Sequence, residues 1–259
     1  MPARDLSLLI DAARSAGEIA KSFHGPDAKQ WEKPDGAGPV TEADLAVNDM
    51  LEDTLRGARP DYGWLSEESE DSDERLGRET VFIIDPIDGT RSFAAGKRTW
   101  AHSIAVARNG VVQDAVIYLP ELDRLFAASV GQGATLNGAA LAPSDRTGLS
   151  GATLLANRGS LEPRHWRGAP PELERVYRPS LAYRMALVAQ GRFDAMLTVF
   201  PAWEWDIAAG DLILREAGAA ISDTSGAPLR FNNANPRAPS VVAAGSSIHA
   251  ALLSELRPG

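Results

Sequence analysis

Residues 85–90 read Asp85-Pro86-Ile87-Asp88-Gly89-Thr90 and follow the apolar run Val81-Phe82-Ile83-Ile84. The run predicts a short buried strand, with a turn at Asp85-Pro86. That turn would set Asp85 and Asp88 side by side and leave the amides of Gly89 and Thr90 free. A helix can begin after Thr90, and the unpaired N–H groups and dipole at a helix start favour an anion. Two carboxylates beside an anion-binding turn suit a divalent cation bridged to a phosphate. Mg²⁺ prefers oxygen ligands in near-octahedral geometry and keeps several waters. Asp-Pro or Asp-Gly alone is an ordinary turn, whereas the six-residue string is far more specific.

Two more acidic strings belong with it. Trp64-Leu65-Ser66-Glu67-Glu68-Ser69 precedes the Asp85 strand by a short link, so one of its acids can reach the same cluster. Adjacent acids in a loop are otherwise simply solvated. In Trp203-Glu204-Trp205-Asp206-Ile207-Ala208-Ala209-Gly210, Asp206 stands near a helix start, where a carboxylate commonly serves as a cap or dipole partner. The small residues behind it let that helix pack closely, and the flanking tryptophans are placed to wall a cleft.

These strings need elements to hold them. Leu6, Leu9, Ile10, Ala13, Ala16, Ala20 and Phe23 recur at helical spacing and predict a helix over 5–23 with one buried face. Residues 33–39, rich in Pro and Gly, read as a mobile loop. Thr41-Glu42-Ala43-Asp44 opens a second helix as a capping box. Strands are expected at 103–108, 111–118 and 124–130, with Asn109-Gly110 as a hairpin signal, so the first half reads as α+β with an antiparallel sheet. From about residue 150, strands at 152–156, 193–197 and 241–244 alternate with helices at 181–190 and 206–217. The expected division is residues 1–140, carrying most of the acids, and 141–259, an α/β half with substrate-specificity elements and the last acid.

Composition narrows the function. The chain has 259 residues, no cysteine and a formal charge of −9 from 35 acidic and 26 basic residues. Thiolate metal sites and a cysteine nucleophile are excluded, and a nucleic-acid polymer is disfavoured as partner. The amphipathic start carries no signal-peptide pattern and no window reaches the ~18 apolar residues of a membrane span, so a cytoplasmic protein with no membrane partner is expected. A phosphorylated ligand is repelled by such a charge on average, unless a bound cation reverses the local field.

With these strings in order along nearly the whole chain, the sequence resembles the inositol monophosphatase superfamily. Glu67-Glu68, residues 85–90 and residues 205–210 match its three motifs. Lys33 with residues 39–44 matches its mobile loop and following helix, and residues 131–138 match a characteristic hairpin. The resemblance implies a layered αβαβα sandwich of the inositol monophosphatase and fructose-bisphosphatase type. It implies two or three Mg²⁺ ions held by Glu67, Asp85, Asp88, Asp206 and the Ile87 carbonyl, with Asp44 helping to hold a looser ion. Glu67 and Thr90 would orient and deprotonate the attacking water, and the Gly89 and Thr90 amides would hold phosphate. Lithium sensitivity is a further family expectation. No motif sets an oligomeric state, though a homodimer would be usual for the family. The aspartyl-nucleophile alternative, Asp-x-Asp-x-Thr as in haloacid-dehalogenase phosphatases, is one residue too short for this string.

The expected reaction is hydrolysis of a small phosphorylated metabolite by metal-activated water, in-line between ions about 3.5–4 Å apart. Inositol-type members carry a Glu seven positions before the last Asp, and here that position is Val199. Arg91 after the Asp-Gly-Thr string and the segments Ser180–Arg184 and Val188–Gly191 resemble the bisphosphate-nucleotidase branch. The expected substrate is therefore a 3′(2′),5′-bisphosphate nucleotide of sulfate assimilation. Arg91 and Arg184 join Asp88, Gly89, Thr90 and Asp206 as substrate contacts, with Arg184 taking the second phosphate bidentately. Inositol 1-phosphate and histidinol phosphate are the alternatives, and a metal- or phosphate-sensing relative without turnover is the non-enzyme reading. Glu204, Gln113, Arg158 and Arg164 are further candidates for a place facing substrate.

Overall fold

The computed structural model describes residues 5–25, 29–33 and 38–257. Residues 34–37, most of the loop read as mobile, lie outside them. Six α-helices are described: α1 (Leu6–Phe23), α2 (Glu42–Ala58), α3 (Thr90–Ala94), α4 (Leu181–Ala189), α5 (Glu204–Glu216) and α6 (Ser246–Glu255). Helix α1 buries Leu9, Ala13, Ala16 and Ala20, the face its spacing predicts. Helix α2 begins with the expected capping box, in which the Asp44 amide bonds the Thr41 hydroxyl and the Asp44 carboxylate accepts the Thr41 amide.

A seven-stranded sheet runs in the order Gly63–Ser66, Thr80–Asp88, Ala101–Arg108, Val111–Leu119, Arg124–Ser129, Ala134–Leu136, Ala139–Ala140. Asn109 and Gly110 close the central hairpin with positive φ at both residues, 49° and 77°. The sheet is not wholly antiparallel as expected. Gly63–Ser66 lies parallel to Thr80–Asp88, because the chain returns through the turn at Asp73–Gly77 before entering the second strand. A five-stranded sheet follows, in the order Leu173–Val176, Ala152–Ala156, Ala195–Thr198, Val241–Ala244, Ala220–Ser222. Its first two pairings are parallel and its last two antiparallel.

Helices α1 and α2 cover the outer face of the larger sheet, α4 and α5 pack between the two sheets, and α6 covers the far face of the smaller one. The order is αβαβα. The change of sheet falls between Ala140 and Ala152, while the inner helices join both sheets through one apolar cluster that includes Ile117, Phe126, Met185, Leu212 and Val241. Helices α4 and α5 approach closely at Gly210, where an added Cβ would lie 2.6 Å from Met185 Sδ.

Candidate active site

The Thr80–Asp88 strand does not stop at Asp85-Pro86. Asp85 pairs with Ser103 and Asp88 with Ala101, so Pro86 and Ile87 together stand opposite His102. Proline has no N–H to give the ladder, and the two-against-one count is a bulge. His102, wholly buried, satisfies the proline's remaining backbone group at the bulge: its Nδ1 bonds the Pro86 carbonyl. Burial lowers its pKa to about 4, so the ring is neutral, with Nδ1–H as donor to that carbonyl. The strand then ends at Gly89, whose φ of 104° is left-handed and suits glycine. Thr90 starts α3, whose first amides have no acceptor within the helix.

The bulge places Asp85 and Asp88 beside Asp206, the third residue of α5, and one carboxylate oxygen from each lies within 4.8 Å of the others. Each is fixed differently. Asp88 Oδ2 accepts the Ser180 hydroxyl and the Ala182 amide, both at 2.6 Å, so the N-terminus of α4 points at it. Asp206 is oriented through its helix, because Ser103 Oγ donates to the Trp205 carbonyl at 2.8 Å. Asp85 is buried, and its Oδ1 has no hydrogen-bond partner among the described residues. Burial is the first cause that pushes all three carboxyls up. Repulsion from Glu67, Asp88 and Asp206 adds to it at Asp85, and from Asp88 and Glu67 at Asp206. For Asp88 the bonds from α4 oppose burial, and its pKa settles at about 6.

Glu67 and Asp44 stand around this trio rather than in it. Glu67 follows a strand end tied down by the Ser66 hydroxyl to Asn48 of α2, at 2.7 Å. Its Oε1 pairs with Lys33 Nζ at 2.8 Å, and the same ammonium lies 2.7 Å from Glu68 Oε1. Burial, then the charge of Glu67, raises Glu68 to about 7. Asp44 was expected to help hold an ion, yet both its oxygens are engaged. Oδ2 takes the cap of α2, and Oδ1 lies 3.2 Å from Thr90 Oγ1. Burial raises its pKa to about 6 against those bonds. Thr90 Oγ1 is also 3.1 Å from the Ile87 carbonyl.

A cleft of about 250 Å³ opens over these groups, lined by Glu67, Asp85, Ile87, Asp88, Gly89, Thr90, Arg91, Ser92 and Asp206, and by Gly38, Pro39, Tyr177 and Pro179. Arg91, a sequence-based candidate, is at its edge. Arg184 is not among the lining residues. It is 5 % exposed, donates to the Arg178 and Pro179 carbonyls and lies 4.8 Å from the Tyr177 ring centroid. Glu204 is buried and accepts from the Asn232 and Asn233 amides at 2.6 and 3.0 Å, away from the cleft. Trp203 and Trp205 do not wall the cleft but stack on each other at 4.5 Å. Gln113 bonds the Val111 carbonyl, Arg164 pairs with Glu162, and Arg158 lines a separate hollow with Arg175. Ser180, Ser103, Tyr177 and His102 stand outside the motifs that mark the site in the sequence. Only Ser180 carried a signal, as a helix N-cap ahead of an apolar periodic run.

Several buried carboxylates crowded together, one with an unpartnered oxygen, are unfavourable without a cation. The all-oxygen donor set of Asp85, Asp88, Asp206 and the Ile87 carbonyl fits Mg²⁺. Fold and site together define a class: a layered α/β protein with an acidic cation site beside an anion turn. The inositol monophosphatase family model matches residues 2–258, and the chain belongs to that family. The Nus factor SuhB of Escherichia coli K12 is 34 % identical over 231 residues, 85 % of each chain. An inositol-1-monophosphatase of Rhizobium meliloti is 34 % identical over 237 residues, 85 % of this chain and 86 % of its own. Among solved structures, the Thermotoga maritima IMPase superposes with a TM-score of 0.81 at 27 % identity, covering 96 % of this chain and 95 % of its own. Among the described residues no helix is long and apolar enough to cross a membrane.

Proposed function

We propose that this chain is a Mg²⁺-dependent phosphomonoesterase that hydrolyses a small phosphorylated metabolite by direct attack of water. The observation that carries the reading is the trio of Asp85, Asp88 and Asp206 within 4.8 Å, sharing one cleft with the Gly89-Thr90 turn. The metal-binding set would be these three, the Ile87 carbonyl and Glu67, the last after release from Lys33. Bound Mg²⁺ supplies positive charge that neutralises the ester and makes a water more acidic. The Gly89 and Thr90 amides would hold ester oxygens. Thr90 Oγ1 would accept a hydrogen bond from the attacking water while donating to Asp44 Oδ1, and Glu67 would orient that water from the other side. Asp44, raised to about 6, is largely ionised at neutral pH and can take the proton onward.

The substrate preference drawn from the sequence, a 3′(2′),5′-bisphosphate nucleotide, asked Arg184 to take a second phosphate. Its guanidinium is bonded to backbone carbonyls instead, so the support left for that preference is Arg91 at the cleft edge. The test is phosphate release from adenosine 3′,5′-bisphosphate, inositol 1-phosphate and histidinol phosphate, with and without Mg²⁺. Release that requires Mg²⁺ is expected, and lithium titrated against Mg²⁺ should suppress it. No release from any ester at millimolar Mg²⁺ would overturn the reading. A role without turnover is favoured only by the name Nus factor on several relatives.

A further inference from the structure

The cleft is lined mainly by the carboxylates and the phosphate turn, and Gly38, Pro39, Tyr177 and Pro179, none of them charged, line it as well. Tyr177 is 53 % exposed, a large ring left open beside a strongly polar site. Its placement is fixed from behind. The Arg184 guanidinium lies 4.8 Å from the ring centroid and is itself buried and bonded to the Arg178 and Pro179 carbonyls. The Arg184 cation thus holds the ring from one face, and the residue stays more than half exposed where it lines the cleft. The neighbouring Arg178 does not compete for the Tyr177 ring, since its guanidinium lies over Phe193, 5.6 Å from the ring centroid.

We propose, resting on the phosphatase reading, that Tyr177 is a stacking platform for the alcohol half of the substrate. The favoured esters then carry a planar aromatic ring, such as a purine or an imidazole, rather than a saturated polyol. A flat π-system gains from stacking whatever its hydrogen-bonding edge, and the pre-positioned ring loses little freedom on binding. A polyol docked on the ring would have hydroxyls stripped of water against an aromatic face, which cannot replace the lost bonds.

The test compares kcat/KM, with Mg²⁺, for adenosine 3′-monophosphate, histidinol phosphate and glycerol 2-phosphate in wild type, Tyr177→Phe and Tyr177→Leu. Wild type should prefer at least one ring-bearing ester over glycerol 2-phosphate, by roughly 5- to 150-fold for one stacked ring. Which of the two leads identifies the ring. Tyr177→Phe should keep the preference, and Tyr177→Leu should erase it through KM rather than kcat, as expected for lost ground-state binding. Equal use of all three esters, or a preference that survives Tyr177→Leu, overturns the inference and leaves the phosphatase reading standing. Absence of hydrolysis for all three removes both.

Discussion

Replacing Asp88 by Asn removes a charge while keeping the shape of the side chain. The Ser180 hydroxyl and the Ala182 amide both bond the same oxygen, Oδ2, so an amide oxygen can stand in its place. The charge that is lost is a costly one. Burial, opposed by bonds from Ser180, Ala182 and Leu181, leaves the carboxyl at about 6 against an ordinary 3.8. A folded-state pKa above the unfolded one means that the metal-free fold holds this proton better than the unfolded chain does. Its stability is then greatest below about pH 4 and declines as pH rises through 6. The loss at neutral pH is about 3 kcal/mol, at ~1.36 kcal/mol per pH unit. Asn carries no such penalty. For a chain of this size ~1 kcal/mol moves the melting temperature by about 2–4 °C, so in EDTA at pH 7.5 the variant should melt about 6–12 °C above wild type. The gap should close towards pH 4. Mg²⁺ should narrow the gap: at a hundredfold excess over Kd wild type gains about 2.7 kcal/mol, most of its deficit, whereas the variant has lost a ligand and gains less. Calorimetry at pH 4, 5.5 and 7.5, with EDTA or Mg²⁺, reads all of this, and phosphate release reports that turnover has gone. A metal-free variant that melts below wild type at pH 7.5, or equal Mg²⁺ shifts in both proteins, would refute the reasoning.

Three other substitutions probe the supports of the site. Thr90→Ala should lower kcat by about 10²-fold or more with little change in KM, and Thr90→Ser should recover most of it, in steady-state assays. His102→Phe keeps a ring among Trp100 and Tyr118 but leaves the Pro86 carbonyl without its donor; urea titration should show a loss of about 1–3 kcal/mol, and half-maximal activity should need more Mg²⁺. The neutral His102 predicts no shift in the pH–rate profile from that change. Gly210→Ala forces a methyl group onto Met185 and should cost about 1–3 kcal/mol, with reduced Mg²⁺ affinity because α4 and α5 carry the anchors of Asp88 and Asp206.

Much of this was legible along the chain. Helical periodicity gave α1, the capping box gave α2, and Asn109-Gly110 gave the hairpin, because each signal acts over a few residues and its partners are neighbours in sequence. The acids were found the same way, through the strings that hold them. Errors arose where distant chain segments decide. The strand end at Asp85-Pro86 continued to Asp88, because a bulge absorbs the proline and His102, sixteen residues on, bonds its carbonyl. The tryptophans around Asp206 found each other rather than the cleft, and Arg184 turned to backbone carbonyls that no pattern near it announces.

By itself the sequence determined the layered α/β class, the family and the identity of the acidic residues, since residue type and short-range spacing are enough for these. Only the tertiary structure decided which carboxylates meet. Asp85, Asp88 and Asp206 converge because a bulge, the start of α5 and the N-terminus of α4 point to one place, while Asp44 is drawn off by its own helix cap. Convergence depends on packing between elements far apart in the chain, and the burial that results raises those carboxyls and calls for a cation.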